Sequence, residues 1–241
     1  MERAVFSDID GTLIHKKASD IEIEKGGYIS KDTIGLIEKL RRQSYFILST
    51  GRRKANYERI AGAIPHDIAM IEHGCVIIEN GIADNEWLES IGSDAVIKYA
   101  EVLKREGYRV DSEGRLASVR VIEGKYKERD LEAKISGESA LSVVRNQGML
   151  DIIPSLGGKE MAALYISKKK GLELKYCAAL VDDLNDLSLI RVTGTSLCPA
   201  SANPKIKNAV ADMGGYVSAF KYQRGTEDIL AQAESIISRK A

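Results

Sequence analysis

Two aspartates, Asp8 and Asp10, follow a short apolar run in the segment FSDIDGTL and precede Gly11 and Thr12. Carboxylates this close repel each other, and a cation that neutralises both would relieve the repulsion. Asp, Gly and Thr are also common turn residues, so an acidic turn that caps a helix is the alternative interpretation. The segment alone therefore indicates either a divalent-metal site or a polar turn.

A second acidic cluster lies late in the chain, in the segment LVDDLNDLSLI. It contains Asp182, Asp183, Asn185 and Asp186 directly after an apolar run. Acidic residues at the start of a helix are ordinary partners of the helix dipole. Three carboxylates within five residues also suit a hard cation that prefers oxygen ligands.

Two further segments could hold an anion. In ILSTGRR, Thr50 and Gly51 end an apolar run and Arg52 opens the next helical pattern. A hydroxyl, exposed backbone N–H groups and a helix N-terminus together form an anion cradle, although an N-cap threonine explains this segment equally well. Lys159, in PSLGGKEMAAL, lies in the first turn of a predicted helix, where a cation works against the dipole. Its position there indicates a role other than helix stability.

The elements that must position these groups are read from hydrophobic periodicity. Ser30 is a candidate N-cap for a helix ending near Arg42, and further helical patterns separate the apolar runs. Strands alternating with helices predict a parallel sheet, and such sheets place their ligand sites in the loops at the carboxyl ends of the strands. The predicted strands of this part are residues 3–7, 45–49, 68–72, 176–181 and 195–199, and a closing helix covers 225–239.

In the middle of the chain the predicted strands and helices are shorter, and the regular alternation of strand and helix is lost. We therefore predict one discontinuous parallel α/β domain, residues 1–74 and 154–241, with an inserted α+β module of residues 75–153. Within the insertion we predict helices at 94–105 and 128–146 and strands at 76–80 and 107–121, with the segment 149–154 returning to the first domain.

Composition narrows the class of protein. The 241 residues contain 35 Lys plus Arg and 35 Asp plus Glu, so no net charge attracts the whole molecule to nucleic acid or an anionic membrane. Cys75, Cys177 and Cys198 are odd in number and widely spaced, which predicts buried, reduced thiols. No apolar run reaches the length that spans a bilayer. We expect a cytoplasmic protein with no nucleic-acid or membrane partner.

Taken in order, DIDGTL, STGR, the lysine and DDLND resemble the four motifs of the haloacid dehalogenase superfamily of phosphatases. The resemblance covers the whole chain, and the insertion resembles the cap of the sugar-phosphatase subgroup, which includes sucrose-, trehalose- and mannosylglycerate-phosphate phosphatases and phosphomannomutase. It implies a Rossmann-like, doubly wound parallel core with an inserted α+β cap domain, and a monomer or homodimer. The implied activity is Mg²⁺-dependent hydrolysis of a small phosphomonoester, a sugar or sugar-acid phosphate. A phosphomutase and a non-catalytic regulatory module are the alternatives.

The resemblance also implies roles for single residues. Asp8 would be the nucleophile that forms an aspartyl-phosphate, Asp10 the general acid and then base, and Thr50 and Lys159 would hold the transferring phosphoryl group. The implied substrate- and phosphate-binding residues are Gly11, Thr12, Gly51, Arg52, His73 and Asn185. The implied metal ligands are Asp8, the backbone carbonyl of Asp10, Asp182 and Asp186.

Two regions bear on the substrate. Many members of the subgroup have Asn-Gly after the third strand, whereas this chain has Glu72, His73 and Gly74, closer to the trehalose-phosphate phosphatases. His73 would then contact a substrate hydroxyl or pack at the domain junction. Trp87 and the tyrosines could stack on a sugar ring or fill the small core of the insertion, and we expect core packing. The insertion contains basic residues that could contact an anion but are singly more typical of solvated surface, namely Arg109, Arg115, Arg120, Lys125, Lys127 and Arg129.

Overall fold

Two β-sheets, a β-hairpin and the helices packed on them make up the described part of the chain. The structure is a computed structural model and describes residues 2–123, 128–146 and 148–238. The strands are β1 (Ala4–Ser7), β2 (Ile21–Glu24), β3 (Gly27–Ile29), β4 (Tyr45–Ser49), β5 (Ile68–Ile71), β6 (Val76–Glu79), β7 (Ile82–Ala83), β8 (Arg109–Asp111), β9 (Val119–Glu123), β10 (Leu141–Asn146), β11 (Met149–Pro154), β12 (Ala178–Leu180), β13 (Thr195–Cys198) and β14 (Tyr216–Val217). The helices are α1 (Lys31–Arg41), α2 (Lys54–Ala61), α3 (Asn85–Ser90), α4 (Asp94–Arg105), α5 (Glu128–Ser136), α6 (Lys159–Lys170), α7 (Leu187–Val192), α8 (Pro204–Asp212) and α9 (Tyr222–Ser238).

The larger sheet has eight strands in the order β14-β13-β12-β1-β4-β5-β6-β7. All pairs from β14 to β5 are parallel, and β6 and β7 add an antiparallel edge. The chain leaves β1 toward β4 and β5 and later returns on the other side of β1 with β12. This reversal beside β1 makes the sheet doubly wound and creates the crevice where such folds bind ligands. The predicted fold class is thereby confirmed.

The strands that end at this crevice are short apolar runs buried on both faces. All four residues of β1 and the last four of β4 are buried, as expected for parallel strands covered by helices on both sides. Helix α1 begins where its capping signal predicts, because the Ser30 side chain accepts a hydrogen bond from the backbone N–H of Thr33. The predicted strand at residues 45–49 and helix at 94–105 have the observed bounds of β4 and α4.

The smaller sheet lies in the inserted segment, and all its strands are antiparallel, in the order β10-β11-β9-β8. We call residues 94–154 the cap. The cap has a hydrophobic core of its own, built from helices α4 and α5 and one face of the sheet. Its fully or nearly fully buried members are Val96, Ala100, Leu103, Tyr108, Val119, Leu131, Ile135, Leu141, Leu150 and Ile152.

One predicted element in the cap is wrong. The helix predicted over residues 128–146 ends at Ser136, and Leu141–Asn146 forms strand β10. The segment LSVVRN pairs along its whole length with β11, and β-branched valines favour that pairing over a helix. Residues 149–154, predicted to lead back to the first domain, are therefore the central partner of β10 and β9 in the cap sheet.

The edge of the larger sheet bears on where the insertion begins. Strands β6 and β7 belong to that sheet, and Trp87 and Ile91 are buried in its hydrophobic core. Trp87 is therefore buried in the core of the first domain and not, as predicted, in a core of the insertion. Because residues 76–91 pack with the first domain, we propose that the insertion begins after Ile91 and not at residue 75.

Cys75, Cys177 and Cys198 are buried free thiols, which confirms the cysteine prediction. Burial raises the pKa of Cys198 to about 11, so its thiol stays protonated and unreactive at neutral pH. None of the helices in the described part combines the length and apolar character needed to cross a membrane.

His15 connects the loop after β1 to the closing helix. Its backbone pairs with Tyr28 in β3, and its Nε2 lies 2.7 Å from the Thr226 hydroxyl oxygen of α9. Burial lowers the pKa of His15 to about 4. Between about pH 4 and 6.5 the unfolded chain therefore binds a proton at this residue that the folded chain does not bind. In this window the His15 contribution to the free energy of unfolding falls as the pH falls.

We expect acidification from pH 7 to pH 4 to remove about 3 kcal/mol of stability through His15. Urea unfolding at several pH values should show a steeper loss in the wild-type protein than in a His15→Gln variant, because glutamine does not titrate. Comparing the two proteins cancels the contribution of every other titrating group. Equal slopes would contradict this role for His15.

Candidate active site

Asp8 lies at the centre of the crevice, directly after β1. Its backbone N–H donates to the carbonyl of Leu180 at 2.9 Å, which continues the β1–β12 pairing by one residue. The residue is only 5% exposed. A carboxylate held this deeply needs a counter-charge or a proton.

Lys159 supplies that counter-charge from the other side of the crevice. It is the first residue of α6, and its side chain is 1% exposed. Its Nζ donates to Asp8 Oδ1 at 2.7 Å, to Asp186 Oδ1 at 2.5 Å and to the Ser49 carbonyl at 3.0 Å. An ammonium has three protons to donate, so all three are accounted for. The three acceptors fix the position of this cation between β1, β4 and the loop after β12.

Three carboxylates converge beside this lysine. One oxygen from each of Asp8, Asp182 and Asp186 lies within 4.8 Å of the others. Burial, reinforced by the negative charges of Asp186 and Asp10 and opposed by Lys159, raises the pKa of Asp8 to about 7. Burial and the same kind of repulsion raise the pKa of Asp182 well above its ordinary value. One ammonium therefore does not neutralise three acids.

This imbalance is the property that a divalent cation would correct. Burial lowers the pKa of Lys159, but Asp186 and Asp8 outweigh burial and raise it, so the lysine stays charged. The cluster is then one positive and up to three negative charges, with only oxygen ligands on offer. Oxygen-only sites of this kind suit Mg²⁺. The residues present fit the expected ion.

Hydrogen bonds within the loop after β12 hold two of these acids in place. Asp186 Oδ2 accepts from the backbone N–H groups of Asp182 at 3.2 Å and Asp183 at 3.3 Å. The Thr12 hydroxyl donates to Asp182 Oδ1 at 3.2 Å. Asp186 thus orients both Lys159 and the loop, and Thr12 acts on a carboxylate rather than facing an entering ligand.

Gly11 permits the close approach of the two acidic loops. It has a φ of +95°, and a Cβ atom there would lie 2.0 Å from Asp182 Oδ2. No side chain other than hydrogen fits without moving Asp182, and the positive φ strains any replacement. The glycine in DIDGTL is therefore required by the geometry of the carboxylate cluster.

We expect Gly11→Ala to lower the rate of the catalysed reaction at least about 10²-fold, because a displacement of 1 Å in a site can have that effect. Gly107→Ala is the matched control, since Gly107 has a φ of +88° and nothing within 4 Å of its Cβ position. Both variants should lose about 1 kcal/mol of stability from backbone strain. Equal activity of the two proteins in a steady-state assay would contradict a steric role for Gly11.

Asp10 is held apart from the carboxylate cluster by Arg52. The guanidinium donates Nε to Asp10 Oδ2 at 2.8 Å and Nη2 to Asp10 Oδ1 at 2.6 Å. It also binds Glu24, at the end of β2, with Nη1 at 3.0 Å from Oε2 and a second contact through Nη2. Burial lowers the pKa of Arg52, but these carboxylates outweigh it and raise the pKa. Arg52 therefore joins the hairpin to Asp10 at the mouth of the site.

Thr50 and Gly51 form the wall between Arg52 and the cap. Thr50 is 2% exposed, and its hydroxyl oxygen accepts from the backbone N–H of Arg52 at 3.2 Å. A Cβ on Gly51 would lie 2.4 Å from His73 Cε1 and 2.7 Å from Asn146 Nδ2. The glycine thus allows the His73 ring and the cap strand β10 to approach the backbone here.

A cavity of about 710 Å³ opens above these groups. Asp8, Asp10, Asp182, Thr50 and Gly51 lie on its core side, together with Asn185 and Arg52. Arg115, Arg120 and Asn146 of the cap also line the cavity. The volume suits a small-molecule ligand, and the lining is strongly polar.

The remaining predicted residues separate into distinct environments. His73 is 1% exposed and does not belong to the described lining of the cavity, because its ring packs at the domain junction against Asp151. Arg115 and Arg120 reach the cavity, whereas Arg109 is exposed. Lys125 and Lys127 lie outside the described residues, as does the side chain of Arg129.

Sequence reasoning did not identify several residues that the structure brings to the site. Glu24 belongs to the hairpin IEIEKGGYI, whose alternation and Gly-Gly pair are a hairpin signal. That signal locates a hairpin but not the partner of its acids. For Asn146 and Asp151 no local signal exists, because their neighbours come from distant parts of the chain.

The chain was compared with known families and proteins. The family described as haloacid dehalogenase-like hydrolase matches residues 5–112 and 117–218. Phosphoglycolate phosphatase 2 of Saccharolobus solfataricus is 27% identical over 216 residues, which are 88% of this chain and 85% of that protein.

Solved structures agree in fold. The sucrose-phosphatase of Synechocystis sp. PCC6803, solved with sucrose and phosphate, superposes with a TM-score of 0.72 at 13% identity, covering 97% of this chain and 98% of that chain. A Thermoplasma acidophilum protein superposes with a TM-score of 0.72 at 18% identity, covering 97% and 99%. At these identities the likeness is one of fold.

Proposed function

The chain belongs to the haloacid dehalogenase-like hydrolases, and on that premise we propose that it hydrolyses a small phosphomonoester with Asp8 as the nucleophile. The observation that carries the proposal is the convergence of Asp8, Asp182, Asp186 and Lys159 beside one polar cavity, whose lining includes Asp8 and Asp182. Four charged groups from three distant segments are brought together there. A purely structural role would not require three buried or half-buried carboxylates within 4.8 Å.

Mg²⁺ is the proposed cofactor. Asp8, Asp182 and Asp186 would hold it, with the Asp10 backbone carbonyl as the further ligand that the motif implies. When bound, the ion would offset negative charge on the phosphoryl oxygens and keep Asp8 ionised. Asp8 has its pKa raised to about 7 without such a charge.

The chain's own residues would carry out two displacements. A carboxylate oxygen of Asp8 attacks phosphorus, the bond from phosphorus to the ester oxygen breaks, and Asp10 gives that oxygen a proton. Water then attacks the phosphorus of the aspartyl-phosphate, Asp10 takes the water proton, and Asp8 and phosphate are released. Lys159, the Thr50 hydroxyl and the Gly51 backbone N–H would hold the phosphoryl oxygens.

Arg52 has a specific part in this scheme. In the structure its guanidinium binds both oxygens of Asp10. The negative charge of an entering phosphoryl group competes with Asp10 for Arg52, which would free Asp10 to take up and donate a proton. Arg52 is therefore assigned to substrate binding, with Glu24 holding it at the cavity mouth.

The cap side of the cavity supports a substrate that carries a further polar or anionic group. Arg115 and Arg120 line the same cavity as Asp8, and Asn146 adds an amide. Arginine suits planar carboxylates and phosphates. We therefore propose a sugar or sugar-acid phosphate, and the similarity to a protein named phosphoglycolate phosphatase supports the acid class.

A phosphate-release assay tests the proposal. The panel is 2-phosphoglycolate, glucose 6-phosphate, glycerol 3-phosphate and p-nitrophenyl phosphate, each with Mg²⁺ and with chelator. We expect Mg²⁺-dependent release of phosphate, and we expect it to be highest for 2-phosphoglycolate, which carries a second anionic group. Conversion of a sugar phosphate to an isomer without free phosphate would favour a phosphomutase. No turnover of any phosphomonoester would contradict the proposal.

A further inference from the structure

The turn directly after β5 has an unusual backbone and unusual burial for charged residues. Glu72 and His73 have φ values of 49° and 60°, in the left-handed region that non-glycine residues seldom adopt. Their exposures are 0% and 1%. Both features are unfavourable by themselves, so contacts elsewhere must compensate for them.

Hydrogen bonds to the cap compensate for the burial of the Glu72 carboxylate. Its Oε1 accepts from the backbone N–H of Leu116 at 2.9 Å. Its Oε2 accepts from the backbone N–H of Ala117 at 3.0 Å and from the Ser118 hydroxyl at 2.7 Å. The Ser118 oxygen in turn accepts from Arg115 Nη1 at 3.0 Å. Glu72, a residue of the first domain, thus holds the cap loop between β8 and β9. Through Ser118 it also holds Arg115, which lines the cavity.

His73 makes the second connection to the cap. Its Nε2 lies 2.7 Å from Asp151 Oδ2, and Arg120 donates to both oxygens of Asp151 at 2.7 and 2.6 Å. Burial lowers the pKa of His73, with Asp151 opposing this only in part. The imidazole is therefore neutral and donates its Nε2 proton to an Asp151 carboxylate whose pKa Arg120 and His73 hold low against burial. The second arginine of the cavity is thereby held as well.

The same turn is bonded to the proposed phosphate-binding segment. The backbone N–H of Glu72 donates to the Arg52 carbonyl, and that of His73 donates to the Thr50 carbonyl, each at 2.9 Å. The His73 ring also lies against Gly51, where a Cβ atom would lie 2.4 Å from its Cε1. The turn therefore contacts the core side of the cavity with its backbone and the cap with its side chains.

We propose that Glu72 and His73 form a latch that fixes the cap relative to the phosphoryl site and so positions Arg115 and Arg120 for the second anionic group of the substrate. This inference rests on the proposed phosphatase function. The two latch residues touch neither the phosphoryl group nor the substrate, and act as positioning residues through the arginines. Loss of the latch would weaken selection of anionic substrates more than it weakens phosphoryl transfer itself.

Glu72→Gln is the first test. An amide has only one acceptor oxygen, so its NH₂ group would face backbone N–H donors of the cap loop, and those donors would lose their partner. Glu101→Gln is the matched control, because Glu101 makes an exposed ion pair with Lys104 on α4 of the cap. The two measurements are amide hydrogen exchange of residues 116–118 and steady-state kinetics with 2-phosphoglycolate and p-nitrophenyl phosphate.

We expect faster exchange at residues 116–118 in Glu72→Gln. We also expect the KM for 2-phosphoglycolate to rise about tenfold, equivalent to about 1.4 kcal/mol of binding. The kcat for p-nitrophenyl phosphate should stay within about twofold of the wild-type value, because that substrate lacks the second anion. Asp151→Asn should show the same kinetic selectivity. The fluorescence emission of Trp87, the one tryptophan in the sequence, should change when the latch contacts are lost. Its indole N–H donates to the Gly74 carbonyl beside the turn at 3.0 Å.

Unchanged exchange at residues 116–118 would overturn the latch. Equal losses on both substrates would overturn the positioning role and leave only a structural one. If Glu72→Gln does not fold, Asp151→Asn decides by the same kinetics, with circular dichroism as its check of folding. A wild-type protein that turns over neither substrate would refute the proposed function, and the exchange experiment would then still decide whether Glu72 holds the cap.

Discussion

Replacing Asp8 with asparagine is expected to lower kcat at least about 10⁴-fold, the scale seen when a residue that forms the covalent intermediate is removed. The amide nitrogen and oxygen of asparagine do not form an acyl phosphate under these conditions, so the first displacement is lost. The protein should keep its fold and a melting temperature no lower than wild type. The reason is that the substitution removes one of the repelling carboxylates grouped within 4.8 Å.

Three measurements check this expectation. They are phosphate release under saturating substrate, circular dichroism, and trapping of a labelled phosphoenzyme by acid quench. Asp94→Asn is the control, because Asp94 is exposed in the first turn of α4 and undergoes the same chemical change. Residual turnover in Asp8→Asn within about tenfold of wild type would rule out the covalent route through Asp8.

Lys159→Met is expected to reduce both activity and stability. The Lys159 side chain is 1% exposed, and its ammonium is bonded to Asp8 and Asp186 at 2.7 and 2.5 Å. Removing one partner of a buried ion pair leaves uncompensated charge and typically costs about 3–5 kcal/mol. Loss of the positive charge that would offset charge on the phosphoryl oxygens should lower kcat about 10²- to 10³-fold in addition.

Urea unfolding and steady-state kinetics measure the two effects separately. Lys168→Met is the matched control, since Lys168 is an exposed residue of the same helix. Mg²⁺ should raise the melting temperature of Lys159→Met more than that of wild type, because a dication supplies positive charge beside the same carboxylates. A variant as stable and as active as wild type would contradict the role assigned to Lys159.

The patterns that sequence reasoning interpreted well are local. Apolar runs such as YFILS and the capping serine before α1 predicted β4 and the start of α1 because burial and capping depend on residues a few positions apart. The helix predicted at 128–146 is wrong beyond Ser136 because the segment LSVVRN pairs with β11. Strand propensity is decided largely by the neighbouring strand, which sequence spacing does not identify.

The residues of the candidate site also divide into those that local sequence patterns predict and those that depend on distant contacts. Placement at the ends of β1, β4 and β12 follows from the alternation of strands and helices, so the convergence of Asp8, Thr50 and Asp182 could be predicted. The pairing of Arg52 with Asp10 and Glu24 could not, because it depends on where the β2–β3 hairpin folds back. His73 is the clearest example. The sequence left open whether it contacts a substrate hydroxyl or packs at the domain junction, because the choice depends on where the cap lies.

The sequence by itself determined the doubly wound core and which loops meet at its crevice, because hydrophobic period and strand order require only short-range information and one rule of chain winding. Only the tertiary structure decided the depth of Lys159, the partners of Arg52 and the binding of Glu72 and His73 to the cap. Those ion pairs and hydrogen bonds join residues 27 to 151 positions apart. They form only when the crossovers and the inserted cap have closed over the sheet, so no local pattern encodes them.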